Sequence, residues 1–456
     1  MMTGSKNNKH YLIIGLGLTG LSCARFCQSK GLTFSLCDTR SELAGIDAIK
    51  EEFPGISISL GLLTAEFLSE FDELLVSPGI SVNTPVFQAA KERGVVISGD
   101  VQLFSEYRTK PLIAITGSNG KSTVTTLVAS LLNEAGVRAT ACGNIGLPVL
   151  DLLSEEDDSQ VYVAELSSFQ LETTRNLNAD VAGILNISPD HMDRYAGMAD
   201  YERAKQRIFQ GAKHVVINGN DDHTIPVLSG ANKSSHFSLD TPAAADFGLI
   251  RESGRVMLCK GSDPLIDASA LKIRGMHNVA NALAALAFVD ALDVEGIDID
   301  LFDCLPALTS FAGLDHRCQH VATAAGVDYI NDSKGTNEGS TVAAIEGLAP
   351  LTQGSLWLIA GGESKGQTFT ELAAACTNRV AGAYVFGADK AILAAALSGH
   401  TKVLQYNTLS EALDDVALAA NADDVVLFSP ACASFDQFKN YVQRGEYFVQ
   451  CVEGLS

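Results

Sequence analysis

Short apolar runs recur along the chain, each closed by a glycine or polar turn and followed by a stretch with helical spacing. In the N-terminal part, Leu12–Ile14 predicts a strand, Leu21–Ser29 a helix and Thr33–Cys37 a second strand ending at Asp38. Glu73–Val76 predicts another strand, stopped by Ser77-Pro78-Gly79. The polar stretch Ser105–Lys110, closed by Pro111, predicts a linker. A second block opens with the strand Leu112–Ile115, a glycine turn and the helix Ser122–Ala135. Strands Val161–Ala164, Val181–Ile187 and His214–Ile217 follow, then a hairpin around Arg255–Ser262 and the Ala-rich helix His277–Leu292. The third block predicts strands Val327–Ile330, Ser355–Ala360, Ala383–Phe386 and Val425–Phe428, with helices such as Glu411–Ala420 between them. Strands that alternate with helices make parallel, doubly wound sheets. The expected fold class is therefore α/β, with three serial domains over 1–104, 105–313 and 314–456.

Composition agrees with that reading. A chain of 456 residues has room for about three domains, and 46% hydrophobic with 19% charged residues suits several packed cores. Thirty-two basic against 54 acidic residues give a formal net charge of −22. That argues against a nucleic-acid or anionic-membrane binder, which needs clustered positive charge. An anionic ligand must instead be held by loop amides, helix N-termini and a few placed cations. The ten cysteines show no C-x-x-C pair and no metal-type spacing, which points to a reducing compartment. No apolar run reaches the ~18–20 residues of a membrane span. Lys6 and Lys9 precede the apolar run Tyr11–Leu21, but its glycines follow a phosphate-loop pattern rather than a signal peptide.

Candidate chemistry sits at the predicted strand ends. Gly15-Leu16-Gly17-Leu18-Thr19-Gly20 is a G-x-G-x-x-G between a strand and a helix, with Asp38 at the end of the next strand. Such a turn brings backbone amides close to a diphosphate, whether of NAD or of UDP. Gly117-Ser118-Asn119-Gly120-Lys121-Ser122-Thr123 is a compact phosphate loop; the strict G-x-x-x-x-G-K spacing fails because position 115 is Ile. Its amides and Lys121 suit the β- and γ-phosphates, and Ser122 or Thr123 can reach Mg²⁺. Glu165 ends the strand Val161–Ala164 and can bind a hard cation. The strand Val181–Ile187 leads into Ser188-Pro189-Asp190-His191-Met192-Asp193-Arg194, where the aspartates are harder ligands than His191. In the predicted helix Asp200–Gln210, Lys205 shares the apolar stripe of Tyr201, Ala204, Ile208 and Phe209. Its amine either snorkels to water or has its charge altered, for example as a carbamate. Lys334 and Lys365 stand at strand ends in the third block and suit an anionic substrate. Cys432 in Ser429–Ser434 has no indicated His partner and reads as a small buried residue.

Together these strings resemble the Mur ligase family. The resemblance is carried by Thr116–Thr123, Gly143-Asn144-Ile145-Gly146, Glu165–Gln170, Asp190–Arg194, His277-Asn278 with Asn281, His316-Arg317, Asp332-Ser333-Lys334 and the run Ser429–Arg444. The late run points to the D-glutamate-adding branch. The resemblance implies a Rossmann-like UDP-binding domain, a central ATPase domain and a Rossmann-like amino-acid-binding domain. It implies ATP-dependent amide formation in cytoplasmic peptidoglycan precursor synthesis, by a monomer acting on small molecules, with no nucleic acid and no membrane insertion. By the same resemblance ATP would meet Gly117, Ser118, Asn119, Gly120, Lys121, Ser122, Thr123, Asn278, Asn281, Arg317 and Asp332. Two Mg²⁺ ions would meet Ser122 and Glu165, and His191 with Lys205 as a CO₂-derived carbamate. The UDP-sugar would meet Gly17, Leu18, Thr19, Asp38, Thr39, Arg40, Ser77 and Asn144. D-glutamate would meet Lys334, Thr336, Lys365, Ser434 and the ring of Tyr441. Relatives commonly carry an acid near Thr368 and a Phe at 441, so this chain departs from the pattern at both positions. Closure of the third domain is expected to hinge near Phe311–Leu314.

Overall fold

The computed structural model describes residues 9–455 apart from 62, 154, 155, 228, 229, 232, 253 and 274; Lys6 lies outside the described residues. Among the described residues, three sheets form in series along the chain. The first has the order Ile58–Leu60, Thr33–Asp38, His10–Ile14, Glu73–Val76, Val96–Ser98, with every pairing parallel. Its central strand carries the apolar run Tyr11–Ile14, buried on both faces as a parallel strand under helices must be. Because the order reverses beside His10–Ile14, the glycine turn after this strand and Ser77 after its neighbour flank one crevice.

In the nine-stranded central sheet, Leu112–Thr116 runs between Val161–Glu165 and Val181–Ile184. The phosphate loop, Glu165 and the loop bearing His191 therefore leave three neighbouring strands at the same end. Strand Phe247–Glu252 joins Lys233–Phe237 in parallel, and the hairpin Arg255–Lys260 with Asp263–Asp267 continues the far edge antiparallel. In the six-stranded third sheet, Val327–Asn331, Val425–Phe428 and Leu356–Gly361 are adjacent. Their C-terminal ends deliver Asp332 to Lys334, Ser429 to Ser434, and Gly362 to Lys365. No helix among the described residues is long and apolar enough to cross a membrane.

Several expectations change in detail. The stretch Ser105–Lys110 is not a linker throughout, because the helix Asp100–Tyr107 buries Val101, Leu103 and Phe104 and carries on through Ser105. The strand expected over Val181–Ile187 ends at Ile184, where Leu185–Ile187 turn toward the phosphate loop; Asn186 Oδ1 accepts from Asn119 N at 2.8 Å. The helix expected over Asp200–Gln210 is α-helical over Met198–Gln206 and tightens into a 3₁₀ turn, Arg207–Phe209.

Asp100 is buried at the seam of the first two domains, where it accepts a 3.4 Å bond from Gln170 of the central domain. Burial pushes its carboxyl up to about 6. Between the usual carboxylate range and about 6, the folded chain holds a proton that the unfolded chain has released, so this group costs stability as pH rises through that window. Asp100→Asn is expected to leave the melting temperature nearly unchanged at pH 4. At pH 8 it should raise stability on the order of 2 kcal/mol. Parallel thermal melts at the two pH values check this, and an equal shift at both would refute it.

Candidate active site

Gly120 closes the phosphate loop at φ +80°, and a Cβ there would lie 2.6 Å from Asn281 Oδ1. Glycine thus permits both the left-handed turn and the close approach of the Asn281 helix. Lys121 opens the helix Lys121–Glu134 and folds back, donating to the Gly117 and Ser118 carbonyls at 2.8 Å each. Burial lowers its pKa, while Glu165 and Asp190 act in the opposite sense. Arg317 reaches across from the third domain and donates to Ser122 Oγ at 2.5 Å.

Lys205 is 1% exposed. Its helix turns the stripe of Tyr201, Ala204 and Lys205 inward, as the periodicity predicts. The amine donates to Gly117 O at 2.8 Å, an acceptor it shares with Lys121, and lies 4.7 Å from the centre of the Tyr201 ring. Burial, joined by the Lys121 charge, drives its pKa well below the ordinary lysine value. The inward phase excludes snorkelling.

Glu165 is also buried, at 1% exposure. Asn144 donates to its Oε1 at 2.7 Å, while Oε2 has no hydrogen-bond partner. An orphaned buried carboxylate oxygen is costly unless a cation meets it. Among the described residues no three His, Cys, Asp or Glu side chains converge on a metal-sized point. A hard cation here would take the Glu165 oxygen and the Ser122 hydroxyl, with phosphate and water supplying the rest, which fits Mg²⁺.

His191 sits at φ +57° with its ring 4.7 Å from that of Phe169 and Nε2 3.5 Å from Asp190 Oδ2. Burial pushes the imidazole down to about 4, against the pull of Asp190, so it is neutral and able to act as a ligand at neutral pH. Burial works to raise the Asp190 carboxyl, but the net shift is downward, with Lys365 the strongest opposing charge and Lys121 acting in the same sense.

The third domain closes over these groups. Asn337 caps the helix Glu338–Leu348 and also donates to Asp190 Oδ2 at 3.1 Å and to Asn119 Oδ1 at 3.3 Å. Ser340 Oγ adds a 2.6 Å bond to Asn119, and Lys365 Nζ lies 3.6 Å from Asp190. Asn337 and Ser340 received no role from the sequence; an Asn just before a helix signals a cap, and its second use needs the fold. Lys334 stands over the Tyr441 ring at 4.2 Å and burial pushes it down to about 8. Ser434 is buried. Asp332, pushed up to about 6 by burial, accepts from Ser429 Oγ at 2.6 Å. Gln367, beside Thr368, ties the Lys365 loop down by accepting from Glu338 N at 2.7 Å and donating to Ser364 O and Ala431 O. Cys432 is buried, its thiol pushed up to about 12, and all ten cysteines are free.

Two adjoining cavities result. One, of about 260 Å³, is lined by Lys121, Ser122, Asn144, Glu165, His191 and Lys205 together with Arg317, Lys334 and Thr336. The other, of about 410 Å³, adjoins it at Asn119 and Gly120 and is lined by Thr123, Asn278, Asn281, Arg317 and Asp332. In the separate N-terminal crevice, Ser77 Oγ donates to Gly15 O at 2.8 Å, and Leu18 is 84% exposed. Asp38 is gripped by Arg40 through two bonds of 2.8 and 2.9 Å and accepts Leu16 N at 2.8 Å. Arg40 above all holds that carboxyl far below its usual range. Asp38 thus organises the glycine turn, and a dinucleotide ribose would have to share its oxygens.

Family descriptions match in chain order. "Mur ligase MurD-like, N-terminal domain" covers residues 9–99, "Mur ligase middle domain" 115–289 and "Mur ligase, glutamate ligase domain" 316–432. A Pseudomonas syringae pv. syringae protein named UDP-N-acetylmuramoylalanine--D-glutamate ligase is 46% identical over 450 residues, covering 99% of each chain. The Pseudomonas aeruginosa protein of that name is 45% identical over 445 residues, 98% of each. Among solved structures, MurF ligase from Thermotoga maritima in complex with ADP has a TM-score of 0.61 at 15% identity, over 98% of this chain and 95% of that one. UDP-N-acetylmuramate-alanine ligase MurC from the same organism gives 0.59 at 20% identity, over 98% and 100%. These structures share the fold, and the full-length sequence identity carries the rest: the chain belongs to the Mur ligase family.

Proposed function

We infer that the chain is an ATP-dependent ligase of cytoplasmic peptidoglycan precursor synthesis that joins D-glutamate to UDP-N-acetylmuramoyl-L-alanine. The observation that carries the reading is the smaller cavity, where Lys121, Glu165, His191 and Lys205 of one domain face Arg317, Lys334 and Thr336 of the next. The high-identity relatives carry the name of that reaction. In this reading residues 1–104 bind the UDP moiety, 105–313 bind ATP, and 314–456 bind the amino acid. In this reading the working unit is a monomer.

The alanyl carboxylate oxygen attacks the γ-phosphorus of ATP, the bond to the β-phosphate oxygen breaks, and ADP leaves. The product is an acyl phosphate, whose leaving group is phosphate rather than oxide. The neutral amine of D-glutamate then attacks the acyl carbon, phosphate departs, and the amine gives up a proton. Lys121 and the loop amides hold the β- and γ-phosphates; Asn278, Asn281, Arg317 and Asp332 frame the rest of the nucleotide. Arg317 also brings positive charge to the phosphates from the third domain. Ser122 and Glu165 would hold one Mg²⁺, His191 and the Lys205 carbamate a second; bound there, the ions would screen the repulsion between phosphate and carboxylate. Lys334, Thr336, Lys365, Ser434 and Tyr441 hold D-glutamate, with the two lysines pairing its carboxylates. Gly17, Leu18, Thr19, Asp38, Thr39, Arg40 and Ser77 line the UDP crevice, and Asn144 contacts the UDP-linked substrate or phosphate.

The test is ADP release by purified protein with ATP, Mg²⁺ and UDP-N-acetylmuramoyl-L-alanine, comparing D-glutamate, L-glutamate and L-alanine. Release that depends on both the nucleotide substrate and D-glutamate is expected. No release, or equal release with L-alanine, would overturn the reading.

A further inference from the structure

Arg194 lies between the N-terminal crevice and the central site, and no step above uses it. Its Nη1 donates to Pro78 O at 2.8 Å, and Nη2 reaches Ile80 O at 3.4 Å and Glu172 Oε2 at 3.0 Å. The guanidinium carbon stands 3.9 Å from the centre of the Phe169 ring. Both ends of this contact matter. On one side, the Ser77–Ile80 loop packs on the glycine turn: Ser77 Oγ donates to Gly15 O, and a Cβ at Gly15 would meet Ile80 Cδ1 at 2.9 Å. On the other side, Phe169 carries the ring of His191 at 4.7 Å.

We propose that Arg194 is a positioning residue that clamps the diphosphate-side loop of the first domain and, through the face of Phe169, fixes the ring of His191 in the second. A planar fork suits this task. Its edge reaches two carbonyls and a carboxylate, and its face stacks on an aromatic ring, which no ammonium can do at once. Arg194 and Glu172 are both largely shielded from water, at 12% and 9% side-chain exposure, so their 3.0 Å ion pair is little screened by solvent. The acceptor nucleotide, seated against Gly15 and Ser77, would thereby be held in register with the group that completes the carboxylate-activating pocket.

The proposal rests on the ligase reading. If wild-type protein releases no ADP, that reading fails, and the binding measurements below still decide the clamp. Arg194→Gln is expected to raise the dissociation constant of UDP-N-acetylmuramoyl-L-alanine about tenfold, measured by calorimetry without ATP, and to leave that of ADP within about twofold. Its kcat should fall about tenfold or more while KM for D-glutamate stays put. Arg194→Lys keeps the charge toward Glu172 without the fork or the stack, and should show the same split at smaller size. A merely structural role would lower the active fraction and leave every binding constant unchanged. Unchanged nucleotide-sugar affinity in both variants, or equal weakening of all ligands, would overturn the clamp. Should Arg194→Gln fail to bind ADP, Arg194→Lys alone decides.

Discussion

Lys205→Ala is expected to lose about 10³-fold or more in kcat, because in the proposed reading it removes a ligand from the pocket where the acyl phosphate would form. A lysine at 1% exposure, near a second ammonium that shares its carbonyl acceptor, cannot keep its proton cheaply. The direction of its pKa follows from that crowding. A neutral amine is the form that adds CO₂: the nitrogen lone pair attacks carbon, a proton leaves, and an anionic carbamate oxygen results. Such an oxygen is a hard donor, which an ammonium beside two dications is not.

Two controls separate this from a loss of packing. Lys205→Arg preserves charge and length but takes up no CO₂, so it should be as inactive as Lys205→Ala. Wild-type activity should fall in buffer stripped of CO₂ and return with bicarbonate, whereas neither variant responds. Acid protonates the amine and discharges the carbamate, so the bicarbonate requirement should steepen as pH falls. Activity of Lys205→Ala within tenfold of wild type would end the carbamate reading.

Local chemistry in the sequence marks several parts of this candidate site. The phosphate loop announces itself because only glycines make its turns and a lysine must follow. Glu165 stands out because parallel strands place their C-terminal ends at one rim; beside His191 the chemistry favours the aspartates, and its role comes only with the family resemblance, while strand order makes the two loops neighbours. The phase of Tyr201, Ala204 and Lys205 turned inward as drawn. What stayed hidden needed contacts between distant segments. Asn119 with Asn337, Arg317 with Ser122 and Arg194 with Pro78 are separated by 218, 195 and 116 positions. No spacing rule connects them. Local polarity also misled: Ser105–Lys110 looks like a linker because the helix Asp100–Tyr107 ends on its polar side, with its apolar residues one turn earlier. The fully shared oxygens of Asp38 are a further case, since the sequence shows an acid at a strand end but not the Arg40 that occupies it.

Lys121→Met should cost about 10³-fold or more in kcat while leaving the fold intact. Methionine matches the length of the stem and suits a buried setting, so the change isolates the charge. In the structure the amine is already desolvated and held by the Gly117 and Ser118 carbonyls, close to Glu165 and Asp190. A charge held in a site shielded from water acts most strongly where negative charge gathers in the transition state. In the proposed reading nucleotide affinity rests also on loop amides and the Asn278 helix, so ADP binding should weaken far less than turnover. Lys121→Arg is not expected to rescue, because a guanidinium is too wide for a seat that grips a single nitrogen between two carbonyls at 2.8 Å. The decisive measurement pairs calorimetric ADP affinity with steady-state ADP release. A variant that loses both in equal proportion would assign Lys121 to binding alone, whereas a large loss of turnover at modest cost in affinity assigns it to phosphoryl transfer.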